Sequence, residues 1–415
     1  MILEASLADA VGAEHVEAID ELSYRVVPGS AAEVAEVIRR AGAHRAAIHP
    51  VGAGGRAAKL PVTRFDEGRP RVMIATRRLD QVLQLDETSL LVHAQAGLTG
   101  LELERILNPR NLSIGDYPPV VLMSSLGGII AVRTPGKSSA RHGFFEDAVV
   151  GVSAVLADGR TVHTRVAPRR STGPDLARAL CGSEGTIGFI TSAVLRIHQK
   201  PEARLVAAYI LPSVDAAVSA VYLALREETA PSGLRIYDAA EAQRHFGGLQ
   251  MSAGTALLCA ATAGPTDLAT CDRDLITSAV LAEGGRTSDH ALAEIWWRRL
   301  HAGEPTPGPP PTLQVMATPS KVRGVYQRVI SDLIANGANA RAHISRFDAD
   351  GAVLFFTFER SGAPADDSLL TLAARSAEAA GAWLLGARAH KLDLYLNALR
   401  DNLDPDRIMN PGALT

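Results

Sequence analysis

Glycine constrains this chain more than charge or cysteine does. It concentrates before residue 190, in Pro50-Val51-Gly52-Ala53-Gly54-Gly55-Arg56, in Ser124-Ser125-Leu126-Gly127-Gly128 and in Gly182-Ser183-Glu184-Gly185-Thr186-Ile187-Gly188. Such segments admit backbone conformations that a side chain blocks, and they let several amides converge on one point, which is how a backbone holds phosphate. Taken singly, each is as well explained as a surface turn. The first is not a P-loop, because no Gly-Lys-Ser/Thr follows it, and it lacks the spaced glycines of a Rossmann dinucleotide site. Arg56 adds either a charge to an anion site or a solvated side chain. Three clusters so far apart are harder to explain as unrelated turns than as the walls of one long ligand.

The rest of the composition excludes other classes. The 415 residues are 47% hydrophobic and 21% charged, enough apolar surface for more than one small domain. A formal net charge of -3 argues against a long-range pull toward nucleic acid or anionic membrane. Cys181, Cys259 and Cys271 are too few and too scattered for a disulfide scaffold, an iron–sulfur cluster or a Cys-rich zinc site, so no metal is expected. The opening run MILEASLADAVGAEHVEAID is acidic where a signal peptide is basic, and no apolar stretch approaches the ~18 residues of a membrane span, which predicts a soluble, cytoplasmic protein.

Periodicity predicts a helix over 31–43, a short apolar run into the first glycine loop, strands in VMIATRRL and SLLVHAQAG, and a helix over 101–107 stopped by Asn108-Pro109. From 118 to 197 the chain reads as mostly β, with SLGGIIAV as one of its strands. After Lys200-Pro201 the texture changes. Strands are predicted at 204–211, 254–263 and 312–318, a hairpin over 341–358, and helices at 213–228, 265–282, 319–336 and 365–381. That alternation suits helices covering one face of an antiparallel sheet. Gly303–Pro311 reads as an irregular connection, and the tail closes with the turn residues Asn410-Pro411-Gly412.

At the glycine clusters the sequence resembles a known family. The run SLGGIIAVRTPGKSSARHGFFEDAVVGVSAVLADGR, followed by STGPDLARALCGSEGTIGFITSAVLRI, is similar to the FAD-binding domain of the vanillyl-alcohol oxidase / p-cresol methylhydroxylase flavoproteins. Within these it stands nearest the branch with alkylglycerone-phosphate synthase, D-lactate dehydrogenase and glycolate oxidase. The resemblance implies an α+β fold class: a two-subdomain FAD-binding domain over 1–200, an antiparallel-sheet-and-helix cap over 201–385, and a tail over 386–415 returning to the FAD domain. Carried over by position, Pro50, Val51, Gly52, Ala53, Gly54, Gly55 and Arg56 would surround the pyrophosphate. Pro119, Val120, Val121, Leu122, Met123, Ser124 and Ser125, with Val132, Arg133, Thr134 and Pro135, would line the flavin and ribityl chain. Glu184, Gly185, Thr186, Ile187, Gly188, Phe189 and Ile190 would grip the adenosine side. A backbone-amide cradle suits a pyrophosphate because it supplies donors without desolvating a lysine. Some relatives attach the flavin through a His in the first loop or a later Cys; here Arg56 follows Gly54-Gly55 and the second-loop region has no cysteine, so the FAD is expected to be non-covalent.

The resemblance breaks where protons should move. Family members carry a Gly-Glu-His-Gly motif or consecutive histidines at the end of the cap, but here the chain reads Trp383-Leu384-Leu385-Gly386-Ala387-Arg388, with Leu385 at the expected imidazole. The synthase's catalytic tyrosine falls on Phe355. Neither Leu nor Phe can carry a proton. Substitute bases are His390 and His343, and substrate clamps are Arg346, Arg298 or its neighbour Arg299, and Lys391; each is also readable as an ordinary structural or surface residue. Trp296 and Trp297 read as packing, and Cys181 as an inert buried thiol. The expected activity is oxidation of a small alcohol or 2-hydroxy acid by hydride transfer to FAD. The alternatives are a redox-neutral transferase like alkylglycerone-phosphate synthase and a decayed flavin-binding subunit of a larger complex. Partners are expected to be a small-molecule substrate, not nucleic acid or membrane, with a homodimer or a partner subunit left open.

Overall fold

The computed structural model describes residues 2–53, 68–115, 119–133, 139–166, 175–302, 313–360, 363–364, 367–385 and 394–413. The fold is α+β. The first sheet has the strands Val16–Asp20, Ser23–Val26, Arg71–Ala75 and Ala47–Val51 in that spatial order, the last three parallel. Parallel neighbours need a crossover, and the helix Ala31–Ala43 supplies it. Ser30 caps the helix by accepting from the Glu33 amide, and Val34, Val37, Ile38 and Ala41 form its buried face. The second sheet is antiparallel, with Val82–Asp86, Leu91–Gln95, Phe189–Arg196, Val149–Val155 and Thr161–His163 in order.

One segment departs from the expected β structure. SLGGIIAV contributes a helix, Leu126–Ala131, rather than a strand. Leu126, Ile129 and Ile130 are its buried side chains, an i, i+3, i+4 set that so short an apolar run does not distinguish from a buried strand. The helix also lies close to its neighbour, for a Cβ on Gly127 would stand 2.9 Å from that of Ala96.

After residue 200 the strands form one antiparallel sheet. From one edge its order is Arg286–Thr287, Ala203–Leu211, Ala256–Gly264, Gly233–Asp238, Asn339–Ser345, Ala352–Arg360, Leu313–Ala317 and Trp383–Leu384, with Ala363–Pro364 pairing beside Ala352–Arg360. The helices Val214–Arg226, Thr266–Ala282, Val322–Ala335 and Asp367–Ala379 cover one face, around a core that includes Val218, Ile236, Leu258, Ile344 and Phe356. Sequence periodicity missed three elements here: the strand Gly233–Asp238 and the helices Ala239–His245 and His290–Ala302. The two helices lie against the opposite face, where Ala242, Phe246, Ala293 and Trp296 pack on Val206, Tyr237 and Cys259. The rest of that face carries polar and aromatic side chains.

The tail returns to the first sheet. The Ile48 amide donates to the Ile408 carbonyl at 2.7 Å, and the buried Asp404 carboxylate accepts from the amides of Ile408 and Met409 at 2.9 and 2.8 Å. Arg141 donates to the Ala263 carbonyl, joining the segment after the second glycine cluster to the large sheet. Among the described residues no helix is long and apolar enough to cross a membrane.

Candidate functional site

The glycine clusters meet. Asn410 ties the tail to the first and third of these segments: its amide donates to the Ile48 carbonyl at 2.7 Å, its Nδ2 donates to the Glu184 carbonyl at 2.6 Å, and its Oδ1 lies 3.2 Å from His49 Nδ1. The amides of Gly182 and Glu184 donate to the carbonyls of Ile130 and Ala131 at 3.0 and 2.9 Å, docking the third cluster on the helix of the second. Arg133 reinforces that joint, with Nε donating to the Cys181 carbonyl at 3.0 Å. A Cβ on Gly52 would stand 2.3 Å from Ser125 Oγ, and one on Gly185 would stand 2.8 Å from Pro50 Cγ. The first cluster thus touches both others at glycines, and the third is hydrogen-bonded to the helix of the second.

Several features of this junction fit a long cofactor. Ser125 Oγ is buried and has no hydrogen-bond partner among the described residues, an orphan that a ligand oxygen would satisfy. Glu184 and Gly185 hold successive left-handed conformations, φ 48° and 76°, which turns the third loop sharply beside Pro50. Met123 and Val132 are 64% and 47% exposed, apolar surface left open next to the cradle. Gly185→Ala should therefore weaken FAD binding by about tenfold, because Ala resists this φ and displaces Pro50; titration of cofactor-stripped protein with FAD measures it.

The expected lining residues divide into groups. Pro50, Gly52, Ser125, Glu184 and Gly185 meet at the junction. Thr186, Ile187, Phe189 and Ile190 are buried, with Thr186 Oγ1 donating to the Ser183 carbonyl and the three apolar side chains inside the domain cores, so their contribution is to shape the loop. Val121 is buried among core residues as well. The backbone of Pro119 and Val120 lies in the short helix Pro119–Leu122. Gly54, Gly55, Arg56, Thr134 and Pro135 lie outside the described residues, as do His390 and Lys391. Cys181 is buried, and that burial pushes its thiol up to about 11, the behaviour of an inert thiol.

A second cluster forms on the polar face of the large sheet. Strand register places His343 opposite both Tyr237 and Phe355, and Arg235 opposite Ser345. The His343 ring stacks on Phe355, with centroids 4.6 Å apart and planes at 10°. Asp238 builds the adjoining helix by accepting from the Glu241 amide at 2.8 Å with one oxygen and from the Ala342 amide at 2.6 Å with the other. This fixes Glu241, 1% exposed, at the centre of an ionic hub. Glu241 Oε1 lies 2.9 Å from His245 Nε2 and 3.4 Å from His343 Nδ1, while Oε2 lies 3.2 Å from Arg341 Nε. Arg244 reaches both oxygens at 3.3 Å. Burial opposes ionisation of Glu241, but the bonds from His245 and His343 outweigh it and hold the carboxyl below its usual range. Burial keeps His343 neutral, lowered to about 3.

Glu241, His245 and His343 present ligand atoms within 4.8 Å of one another, a spacing that would suit a metal ion. Arg341 and Arg244 already compensate the single carboxylate, and the charge of Arg235 bears on both imidazoles, so a divalent cation would enter a positive field. The cluster works as an ionic hub. Of the other expected residues, Arg298 is exposed on its helix, and Arg299 donates to the His245 carbonyl. Trp296 is buried in the packing of that face, and Trp297 stacks under Arg204 at 4.7 Å. Leu385 donates its amide to Gln314 and offers no proton carrier.

Two lobes, one with three converging glycine bends and one a large antiparallel sheet backed by helices, define a two-part FAD-binding flavoprotein fold. The solved structure of p-cresol methylhydroxylase with substrate bound shares it, at a TM-score of 0.74 and 13% identity over 99% of this chain and 96% of that one. The family model described as the FAD binding domain matches residues 22–165, and that of the FAD linked oxidases, C-terminal domain, matches residues 200–383. The chain belongs to the FAD-linked oxidase family. It is similar to the alkyldihydroxyacetonephosphate synthase of Caenorhabditis elegans, 31% identical over 213 residues, covering 51% of this chain and 36% of that protein. It is also similar to the glycolate oxidase subunit GlcD of Bacillus subtilis, 27% identical over 214 residues, 51% of this chain and 45% of that one. The chain thus spans less than half the length of either relative in these matches.

Proposed function

We propose that the protein oxidises a small alcohol or hydroxy acid with a non-covalently held FAD. The observation that carries this reading is the convergence of Gly52, Ser125 and Gly185 on one junction in a chain matched by both halves of the FAD-linked oxidase family. FAD supplies a two-electron acceptor for the carbon-bound hydrogen. The chain's own task is to orient the substrate and take the hydroxyl proton. With Leu385 and Phe355 at the family's proton-carrying positions, the role passes to His343, a neutral imidazole stacked on Phe355 and oriented through Nδ1 by Glu241.

The likeness to alkyldihydroxyacetonephosphate synthase favours a second reading, a redox-neutral transfer. Anaerobic mixing of the flavin-loaded chain with small hydroxy acids and alcohols separates the two. Bleaching of the flavin band supports oxidation, turnover of substrate without bleaching supports transfer, and no response together with tight co-purification of another chain supports a non-catalytic subunit. Denaturation in acid tests the mode of attachment: the yellow colour should leave the polypeptide, and colour retained on it would overturn the non-covalent assignment.

A further inference from the structure

We infer that His142 and His198 form an acid-operated catch at the joint between the two lobes: stacked and neutral they hold the joint closed, and uptake of protons releases it. The two rings lie face to face, with centroids 3.9 Å apart and planes at 27°. His142 ends the short helix Ser139–His142, in the segment after the second glycine cluster. His198 opens the short strand His198–Gln199, just before the chain enters the large sheet at Ala203. That strand pairs with Leu112–Ser113, and the Lys200 amide donates to the Asn111 carbonyl at 2.9 Å. Beside His142, Arg141 donates to the Ala263 carbonyl of the large sheet, and a Cβ on Gly264 would stand 3.1 Å from its guanidinium. Gly264 is the register partner of Ala203. The stack therefore couples the helix whose arginine grips the large sheet to the strand through which the chain passes into that sheet.

The surroundings suit the stack only while both rings are uncharged. Positive charge alone bears on them: Arg141, next to His142, acts on both rings, and Arg196, two residues before His198, acts on His198. Carboxylates on the neighbouring elements are engaged elsewhere. Glu104 accepts from Ser113 Oγ and from the Ile114 amide at 2.9 and 2.7 Å, and Glu202 accepts from Thr266 Oγ1 at 2.8 Å. Burial, then the charge of the partner ring and of Arg141, lowers His142 to about 3; burial, then Arg196 and Arg141, lowers His198 as well. In an open joint each imidazole returns to the ordinary histidine value near 6.5. Closing lowers both, so the stack's contribution is fully present above that value and is lost as pH falls below it. Each ring then shifts the balance toward the open joint by up to about tenfold per pH unit, and the pair by up to about a hundredfold.

Hydrogen–deuterium exchange on the FAD-loaded chain tests the catch, comparing the amides of residues 112–113 and 198–200 with those of 256–264 in the large sheet, each corrected for the intrinsic pH dependence of exchange. Between about pH 7.5 and pH 5.5 the protection of the joint should fall by up to about a hundredfold while the large sheet keeps its own. His142→Phe and His198→Phe keep an aromatic face that cannot titrate, so each should reduce the fall to about tenfold, and the double variant should abolish it. Protection in the parent that changes less than threefold, a fall shared equally by the large sheet, or a fall in the double variant equal to the parent's would overturn the catch. Histidine ring resonances of the parent give a check that needs no variant: both rings should stay neutral for as long as the joint is protected, and a pair that titrates near 6.5 with the joint still protected would overturn it too. None of these readouts uses turnover, so the oxidation reading and the catch fail separately.

Discussion

Replacing His343 by Ala should slow reduction of the flavin by a bound hydroxy substrate about 10²-fold or more, with the yellow colour retained. The imidazole is buried on the polar face of the sheet, stacked on Phe355, and held through Nδ1 by Glu241. Its other ring nitrogen carries no hydrogen bond among the described residues, and burial keeps the ring in the neutral form that accepts a proton. Its basicity is low because it is desolvated and because Arg235 stands near. Stopped-flow bleaching under anaerobic conditions measures the effect. A rate within threefold of the parent would remove His343 from the chemistry.

Glu241→Ala should destabilise the chain by about 3–5 kcal/mol, read as a shift in the chemical-denaturation midpoint. The substitution takes away the one carboxylate shared by Arg341, Arg244, His245 and His343 at the base of the cap helix. Glu241→Gln keeps the shape and an acceptor oxygen and should cost less, so the difference between the two variants isolates packing from charge. Because folding lowers the Glu241 pKa, its contribution is fully present above the ordinary carboxylate value and is lost as pH falls through the lowered one. Asp238 works in the opposite sense: burial raises it to about 6, so what it contributes is greatest below its ordinary value and declines as pH rises through 6. A midpoint in Glu241→Ala equal to the parent's at neutral pH would show that the hub does not hold this face together.

Glycine spacing made the junction of the three loops legible because convergence is a backbone property. Gly52 and Gly185 are needed where loops touch, and that need shows in the sequence before any partner is known. The polar face was much less legible. His343 and Arg346 stand out in the run ARAHISRF, but Arg235, Glu241 and His245 sit in a strand that passes into a helix with no turn residue between them. The alternation of Leu234 and Ile236 with Arg235 and Tyr237 is a genuine strand signal, and Asp238 is a genuine helix cap, yet each is only a few residues long. Glu241 reads in sequence as a solvated helix charge. Its burial comes from Arg341 and His343, a hundred residues away, and no local pattern encodes that. The helix Leu126–Ala131 was misread for a related reason, since a single turn and a half of apolar residues carries too little periodicity.

The visible spectrum of the purified chain before and after incubation with excess FAD, with the unbound fraction removed, reads FAD binding directly. One flavin per chain, yellow and displaced on denaturation, is the expected result. A chain that is colourless and stays so, with no flavin retained at any concentration tried, would contradict the cradle on which every other assignment depends.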